Sequence, residues 1–319
     1  MPGYVVRRLL AGIPVACGVT FLTFALVNLL PGDAAQALLG PDATSAQIHD
    51  LAVKLHLNEP FFERYAHWLG GVVTGNLGTS LASGQKVSSI VAQRIPVTFE
   101  LAAFALILAL GLAVPVAVLA ARRPGGVVDH LALVASVTTV SVTPFVLAVL
   151  LVLVFAVHLG WFPAIGFVPV SQSVAGNIRS LVLPAVVTAL PLFGGYTRVL
   201  RGDLVDQLLG EDYVLTARAE GASPWQVLIR HALRNSMLGL VTLVGLNVGV
   251  LVSATVIVEQ VFDLPGLGSG LLQGVNDRDV PVVGAIALIF ALFVVVANLV
   301  TDLSYTVLDP RIRHGHPGR

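Results

Sequence analysis

The chain has 319 residues, 56% hydrophobic and 11% charged, with eighteen basic and eighteen acidic side chains. Soluble globular chains carry about 25% charged residues, so this composition excludes an ordinary soluble domain, and zero net charge at such low density leaves no basic surface for nucleic acid. The single cysteine, Cys17, excludes an internal disulfide framework or thiolate metal site and reads as a small buried hydrophobe.

A membrane-spanning helix needs about 20 mainly apolar residues. Leu9–Leu30 meets this first, behind Arg7 and Arg8. Ala35-Gln36-Ala37 resembles a signal cleavage site, but signal cores run about 7–15 residues and this run is 22 long. Residues 1–30 are therefore read as an N-terminal segment with its first span. Residues 31–96 form a polar excursion with two short helices, Ala43–Leu57 and Pro60–Val73, spaced helically through Ile48, Leu51, Leu55 and through Phe62, Tyr65, Leu69. The aromatics Phe61, Phe62, Tyr65 and Trp68 read as local packing or an interfacial belt.

From residue 97 to 319 the chain reads as a transmembrane core. Its spans are Leu101–Ala121, Leu131–Val157, roughly Leu181–Thr197, Leu238–Val258 and Val280–Leu303. Pro115, Pro144 and Pro191 fall inside spans and read as kinks. Twelve Lys and Arg lie on one side of the resulting six-span layout and six on the other, four of those in the long first loop. The positive-inside rule then places both termini in the cytoplasm. The expected fold is an all-α polytopic membrane protein with six transmembrane helices, N-in and C-in.

Between the fourth and fifth spans, residues 200–237 form the most charged stretch of the core. The part from Asp212 to Glu220 has no breaker and stops at Gly221, suited to the left-handed position after a helix. Ser223-Pro224-Trp225-Gln226 then reads as a capped helix start with a capping box. In the fifth span Asn247, Thr255 and Glu259 fall within about a 120° arc at 100° per residue, which fits either a polar translocation path or helix–helix hydrogen bonding, with Glu259 simply exposed to solvent. Phe262-Asp-Leu-Pro-Gly-Leu-Gly-Ser-Gly270, with Pro265, Gly266, Gly268 and Gly270, reads as a close-packed re-entrant or outer gate loop.

Chemistry of other kinds is missing from the sequence. No Gly-x-x-x-x-Gly-Lys-Ser/Thr phosphate cradle occurs, and the only lysines are Lys54 and Lys86. No His-Glu-x-x-His occurs, His314-Gly-His316 sits in the tail, and Ser269 has Leu267 where a nucleophile elbow needs glycine. No catalytic, cofactor-binding or metal-binding residue is assigned.

Tyr213-x-x-Thr216-Ala217-Arg218-Ala219-x-Gly221, followed by Arg230-His231-Ala232-Leu233-Arg234-Asn235, resembles the cytoplasmic coupling (EAA) loop of ABC-importer permeases, in the form found in the dipeptide/oligopeptide/nickel family. Gly75-Asn-Leu-Gly-Thr-Ser-Leu81, the Pro265-Gly-Leu-Gly268 segment, Asp277-Arg-Asp-Val-Pro281 and Leu308-Asp-Pro-Arg-Ile-Arg313 extend the resemblance over almost the whole chain. The loop departs from the family's pattern in lacking its Glu, in Glu220 where Lys is common, and in Gly239 where Pro is common. The resemblance implies a type I importer permease architecture in a bacterial inner membrane. It implies that Tyr213, Thr216, Ala217, Arg218, Ala219, Gly221, Ala222 and Ser223 dock on a cytoplasmic ATPase. It further implies a second homologous permease, two ABC ATPases that bind ATP and Mg, an extracytoplasmic substrate-binding protein, and a di- or oligopeptide, nickel or other small solute as cargo. A stand-alone secondary transporter is the rival reading. It needs mid-membrane ion chemistry and internal repeats, and the sequence offers neither.

Overall fold

In a computed structural model, residues 2–29, 43–54 and 59–308 are described. The cleavage-like Ala35–Ala37, the distal part of the C-terminal motif and the two tail histidines lie outside them. The described residues are helix, turn and irregular connections apart from one antiparallel bridge, Thr79–Lys86. Among the described residues five helices are long and apolar enough to cross a membrane, and a bent pair supplies a sixth if it counts as one span.

The chain divides into two compact units. The first comprises residues 1–99 and 264–296. It holds α1 (Pro2–Leu29), α2 (Ser45–Lys54), α3 (Phe61–Val73), the start of α4 (Val87–Ala121), α11 (Leu267–Asn276) and most of α12 (Val280–Leu308). Phe24 and Val27 of α1 pack with Val280 and Val283, and the α3 aromatics Phe61, Tyr65 and Trp68 close over them. The Tyr65 hydroxyl donates to the carbonyl of Cys17 at 3.0 Å. Cys17 itself is only half-buried.

The helix α4 takes in the last ten residues, 87–96, of the excursion that sequence reads as loop. Its first turns carry Val87 and Val91, both buried against Leu267, Val282 and Ile286, while Ser88, Ser89 and Gln93 face out. A one-sided apolar stripe is enough to extend a helix beyond its uniformly apolar core.

The second unit comprises residues 100–263 and 297–319. It holds the rest of α4, then α5 (Val127–Ser141), α6 (Pro144–Leu151, continued as a π-helical segment to His158), α7 (Val174–Gly210), α8 (Asp212–Ala219), α9 (Pro224–Gln226) and α10 (Leu233–Val261). α7 is the centre, packed along both α5 and α10. Gly194 of α7 lets α5 approach closely, since a Cβ there would strike Thr139 and the Ser136 carbonyl.

The third span is broken rather than kinked. α5 and α6 meet at 103°. Val142 and Thr143 are extended, with ψ of 128° and 141°. Pro144 takes the first helical position of α6 and disfavours helical backbone at the residue before it. Near the N-terminus of α5, Asp129 is 1% exposed and accepts from Arg201 of α7 through Nε at 2.7 Å and Nη2 at 2.6 Å. The Gly125 amide donates to the same carboxylate at 2.8 Å. This is the bidentate arrangement in which a buried ion pair is best satisfied.

Candidate functional site: a helix-turn-helix between two spans

α7 ends at Gly210, one extended residue (Glu211) follows, and α8 begins at once. α8 closes with a Schellman motif. The Ala222 amide donates to the Ala217 carbonyl at 3.0 Å and the Gly221 amide to Arg218 at 3.1 Å, with Gly221 at φ +87°. That bond pair requires a left-handed residue after the helix. Ser223 caps the next helix: its Oγ accepts from the Gln226 amide at 3.3 Å, and Gln226 Oε1 accepts from the Ser223 amide at 3.0 Å, with Pro224 first in the helix. The three residues of α9 pass through a π-helical segment, Val227–Ala232, straight into α10.

The motif has its own small core. Val214, Ala217 and Val227 are buried, and Leu208, Tyr213 and Ala222 pack on them. The Tyr213 hydroxyl donates to Gln207 of α7. Arg218 Nη2 donates to the Leu208 carbonyl at 3.3 Å. These bonds tie α8 back to the end of α7. Thr216, Arg218, Ala219, Gly221 and Ser223 are exposed. Leu215 is 62% and Trp225 48% exposed, and the Arg122 guanidinium lies over the Trp225 ring at 5.9 Å. Sequence reasoning did not single out Leu215 or Trp225. Their signal was a large apolar residue beside polar neighbours on each side of the turn, Leu215 before Thr216 and Trp225 before Gln226.

The other sequence-derived residues do not join this site. In α10, Asn247 is half-buried beside the Tyr196 phenol. Thr255 is fully buried and donates to the Val252 carbonyl at 2.8 Å. Glu259 is also fully buried, which corrects the expectation that it is simply solvent-exposed. A cavity of about 260 Å³ lies at the α5–α6 break and takes Leu251 and Ala254 from α10, so its lining passes Thr255 and Glu259 by.

The expected outer gate loop is a helix. Pro265 and Gly266 precede it, Gly266 occupies its N-cap, and Gly268 and Gly270 lie within α11. The Leu267 amide donates to Thr98 Oγ1 at 2.7 Å. Arg94 of α4 donates to the Gly266 carbonyl at 3.1 Å, to Ser269 Oγ at 3.4 Å and to Gln273 Oε1 at 3.1 Å. Its guanidinium crosses Gly270, where a Cβ would come within 2.8 Å. Gly270 makes room for a neighbouring side chain and does not loosen the backbone. Among the described residues no group of three or more His, Cys, Asp or Glu is placed to hold a metal ion.

Residues 113–314 match the family described as binding-protein-dependent transport system inner membrane component, and residues 1–102 match the N-terminal part described for the same transport-system membrane components. The chain belongs to that family. A probable peptide ABC transporter permease protein of Sinorhizobium fredii is 35% identical, with 98% of this chain and 99% of the relative aligned. The oligopeptide transport system permease protein AppB of Bacillus subtilis is 36% identical over 98% and 100%. The dipeptide transport system permease protein DppB of Escherichia coli is 35% identical over 98% of each. As an inner membrane component of this family with five to six apolar spans, the chain is a multi-pass protein of the bacterial inner membrane. The permease component's two family segments meet within α4, which runs unbroken from Val87 to Ala121.

Proposed function

We propose that this chain is the permease subunit of an ATP-driven importer of di- or oligopeptides. In this reading it forms half of the translocation pathway and catalyses no reaction itself. A second homologous permease completes the pathway, an extracytoplasmic binding protein delivers cargo, and two ABC ATPases bind ATP and Mg and supply the work. The relatives named for peptide, oligopeptide and dipeptide transport support the cargo class. Residues 31–96 would then be extracytoplasmic and 200–237 cytoplasmic, as the Lys and Arg distribution expects.

The observation that carries the reading is the helix-turn-helix from Asp212 to Ala232. It has its own core, a rigid capped turn, and exposed Leu215 and Trp225. Only Glu211 separates it from α7, and it runs without a break into α10. A partner that grips α8 therefore moves two spans together, as a lever with two positions must. When the ATPase pair closes, the displaced lever repacks the spans between inward- and outward-facing states. The two sites are coupled reciprocally, so cargo arriving on the far side changes nucleotide affinity in turn.

Co-purification from the native membrane tests this. Wild type brings down a second permease and ABC ATPases. Leu215→Glu, exposed enough to leave the fold intact, keeps the permease and loses the ATPases. Wild type free of ATPase under conditions that preserve such complexes contradicts the reading and favours a stand-alone transporter.

A further inference from the structure

Glu100 is the only acidic residue in the 35 residues of α4. It lies 13 residues into the helix, about 20 Å from its start at 1.5 Å per residue. Asn177 of α7, 6% exposed, donates through Nδ2 to Glu100 Oε2 at 3.0 Å and to the Val168 carbonyl at 2.9 Å. The amide thus fixes the carboxylate and leaves Oε1 without a hydrogen-bond partner among the described residues. Both side chains border a half-open cavity of about 270 Å³ whose remaining wall is apolar, from Phe104, Ile107, Ile178 and Leu181. The size is near the lower end of small-ligand sites, about 300–1,000 Å³.

Glu100, Ala103, Phe104 and Ile107 follow helical i, i+3, i+4, i+7 spacing, and Ile107 is 68% exposed within the chain. Glu100 directly precedes the Leu101–Ala121 apolar run, and at that edge a carboxylate facing lipid is costly, so such groups face the protein interior or a water-filled passage. This stripe of α4 therefore belongs to the passage. A lone carboxylate with apolar walls is poorly suited to a divalent cation, which asks for several oxygen ligands. It suits a primary ammonium, which gains a charge-assisted hydrogen bond while its apolar substituent fills the cavity.

We propose that Glu100, oriented by Asn177, is the ammonium-binding group of a cargo subsite on the translocation passage. It takes the free amino terminus of a peptide whose first side chain enters the Phe104–Leu181 cavity. The peptide part rests on the function proposed above; the ammonium part does not.

The test uses the assembled importer in nanodiscs, carrying Cys17→Ser and Ile107→Cys. The probes are aminoethyl and sulfonatoethyl methanethiosulfonate, each rate being divided by its rate with a free thiol in solution. The cationic reagent is expected to be favoured at least tenfold. Glu100→Gln, which can still accept from Asn177, should bring that preference close to one, and leucyl-alanine should slow labelling. In uptake of leucyl-alanine, Glu100→Gln should lower kcat/KM about tenfold with ATP hydrolysis retained, and Glu100→Asp should restore most of it. Reaction with neither reagent, or no charge preference with Glu100 present, overturns the subsite. A preference that depends on Glu100, with no protection or uptake of leucyl-alanine, supports the ammonium site and overturns the peptide cargo.

Discussion

The helices α8 and α11 end in the same hydrogen bonds. At α8, Ala222 reaches back to Ala217 and Gly221 to Arg218; at α11, the Asp279 amide donates to Gly274 at 2.7 Å and Arg278 to Val275 at 3.2 Å. The residue in the left-handed position is glycine in one case (φ +87°) and arginine in the other (φ +54°). A non-glycine residue there is strained by about 1 kcal/mol. The α11 end is held in that state by the next residue along the chain, Asp279. Its carboxylate is 3% exposed, accepts from the Ser80 hydroxyl, and accepts from the amide of Leu81 at 3.1 Å. The α8 end shows no such anchor among the described residues: apart from its chain neighbours, none of them has an atom within 4 Å of where a Cβ on Gly221 would stand. One turn is set by local chemistry alone, and the other is strained and fastened by a distant segment of chain. Local strain of this kind persists where surrounding structure over-determines it.

If tertiary fastening governs α11, the largest effect comes from filling Gly270. Gly270→Leu displaces Arg94 from its three acceptors and should cost about 3 kcal/mol, the range of overpacking combined with lost hydrogen bonds. The cost should shrink by at least about 1 kcal/mol in an Arg94→Ala background. Thermal unfolding of the four variants in detergent, followed through tryptophan fluorescence, measures that coupling, and strict additivity would break the comparison. Next, Asp279→Ala strips buried donors at Ser80 and Leu81 and should cost about 2 kcal/mol in the same assay. The two left-handed positions should then respond with opposite signs. Gly221→Ala destabilises by about 1 kcal/mol, while Arg278→Gly stabilises by up to about 1 kcal/mol by relieving strain. Equal signs would mean that the two ends are held alike. Smallest is Ser223→Ala, about 0.5 kcal/mol for an exposed cap. It should be visible as faster amide exchange at Gln226 before any change in melting temperature.

The same division decides what the sequence could reveal. The apolar runs mark the spans because bilayer thickness fixes their length, and the Gly221 turn and Ser223–Gln226 capping box are visible because their bonds lie within a few residues. The α5–α6 break was partly visible: Pro144 signals a disturbance, but the angle depends on how α5 and α7 pack. The helical state of Leu267–Asn276 was hidden, since its glycines read locally as a loop, while Gly270 is explained by Arg94, 176 residues earlier by number, and Gly274 by Val283. The start of α4 was missed because Ser88, Ser89, Gln93 and Arg94 mask a one-sided stripe. Glu100 carries no sequence signal beyond a single carboxylate directly before the Leu101–Ala121 run, whereas Asn247, Thr255 and Glu259 share one arc of the fifth span. The burial of Thr255 and Glu259 and the cavity beside Glu100 are properties of packing.

The most direct test of the coupling account places a photo-crosslinking amino acid at Leu215 in the exposed face of α8, with Leu246 of α10, 70% exposed, as the comparison position. In the assembled, ATP-hydrolysing complex, position 215 should yield an adduct with the ATPase and position 246 none. An active complex that gives no ATPase adduct at 215 would contradict the claim that this helix-turn-helix is where the partner grips the permease.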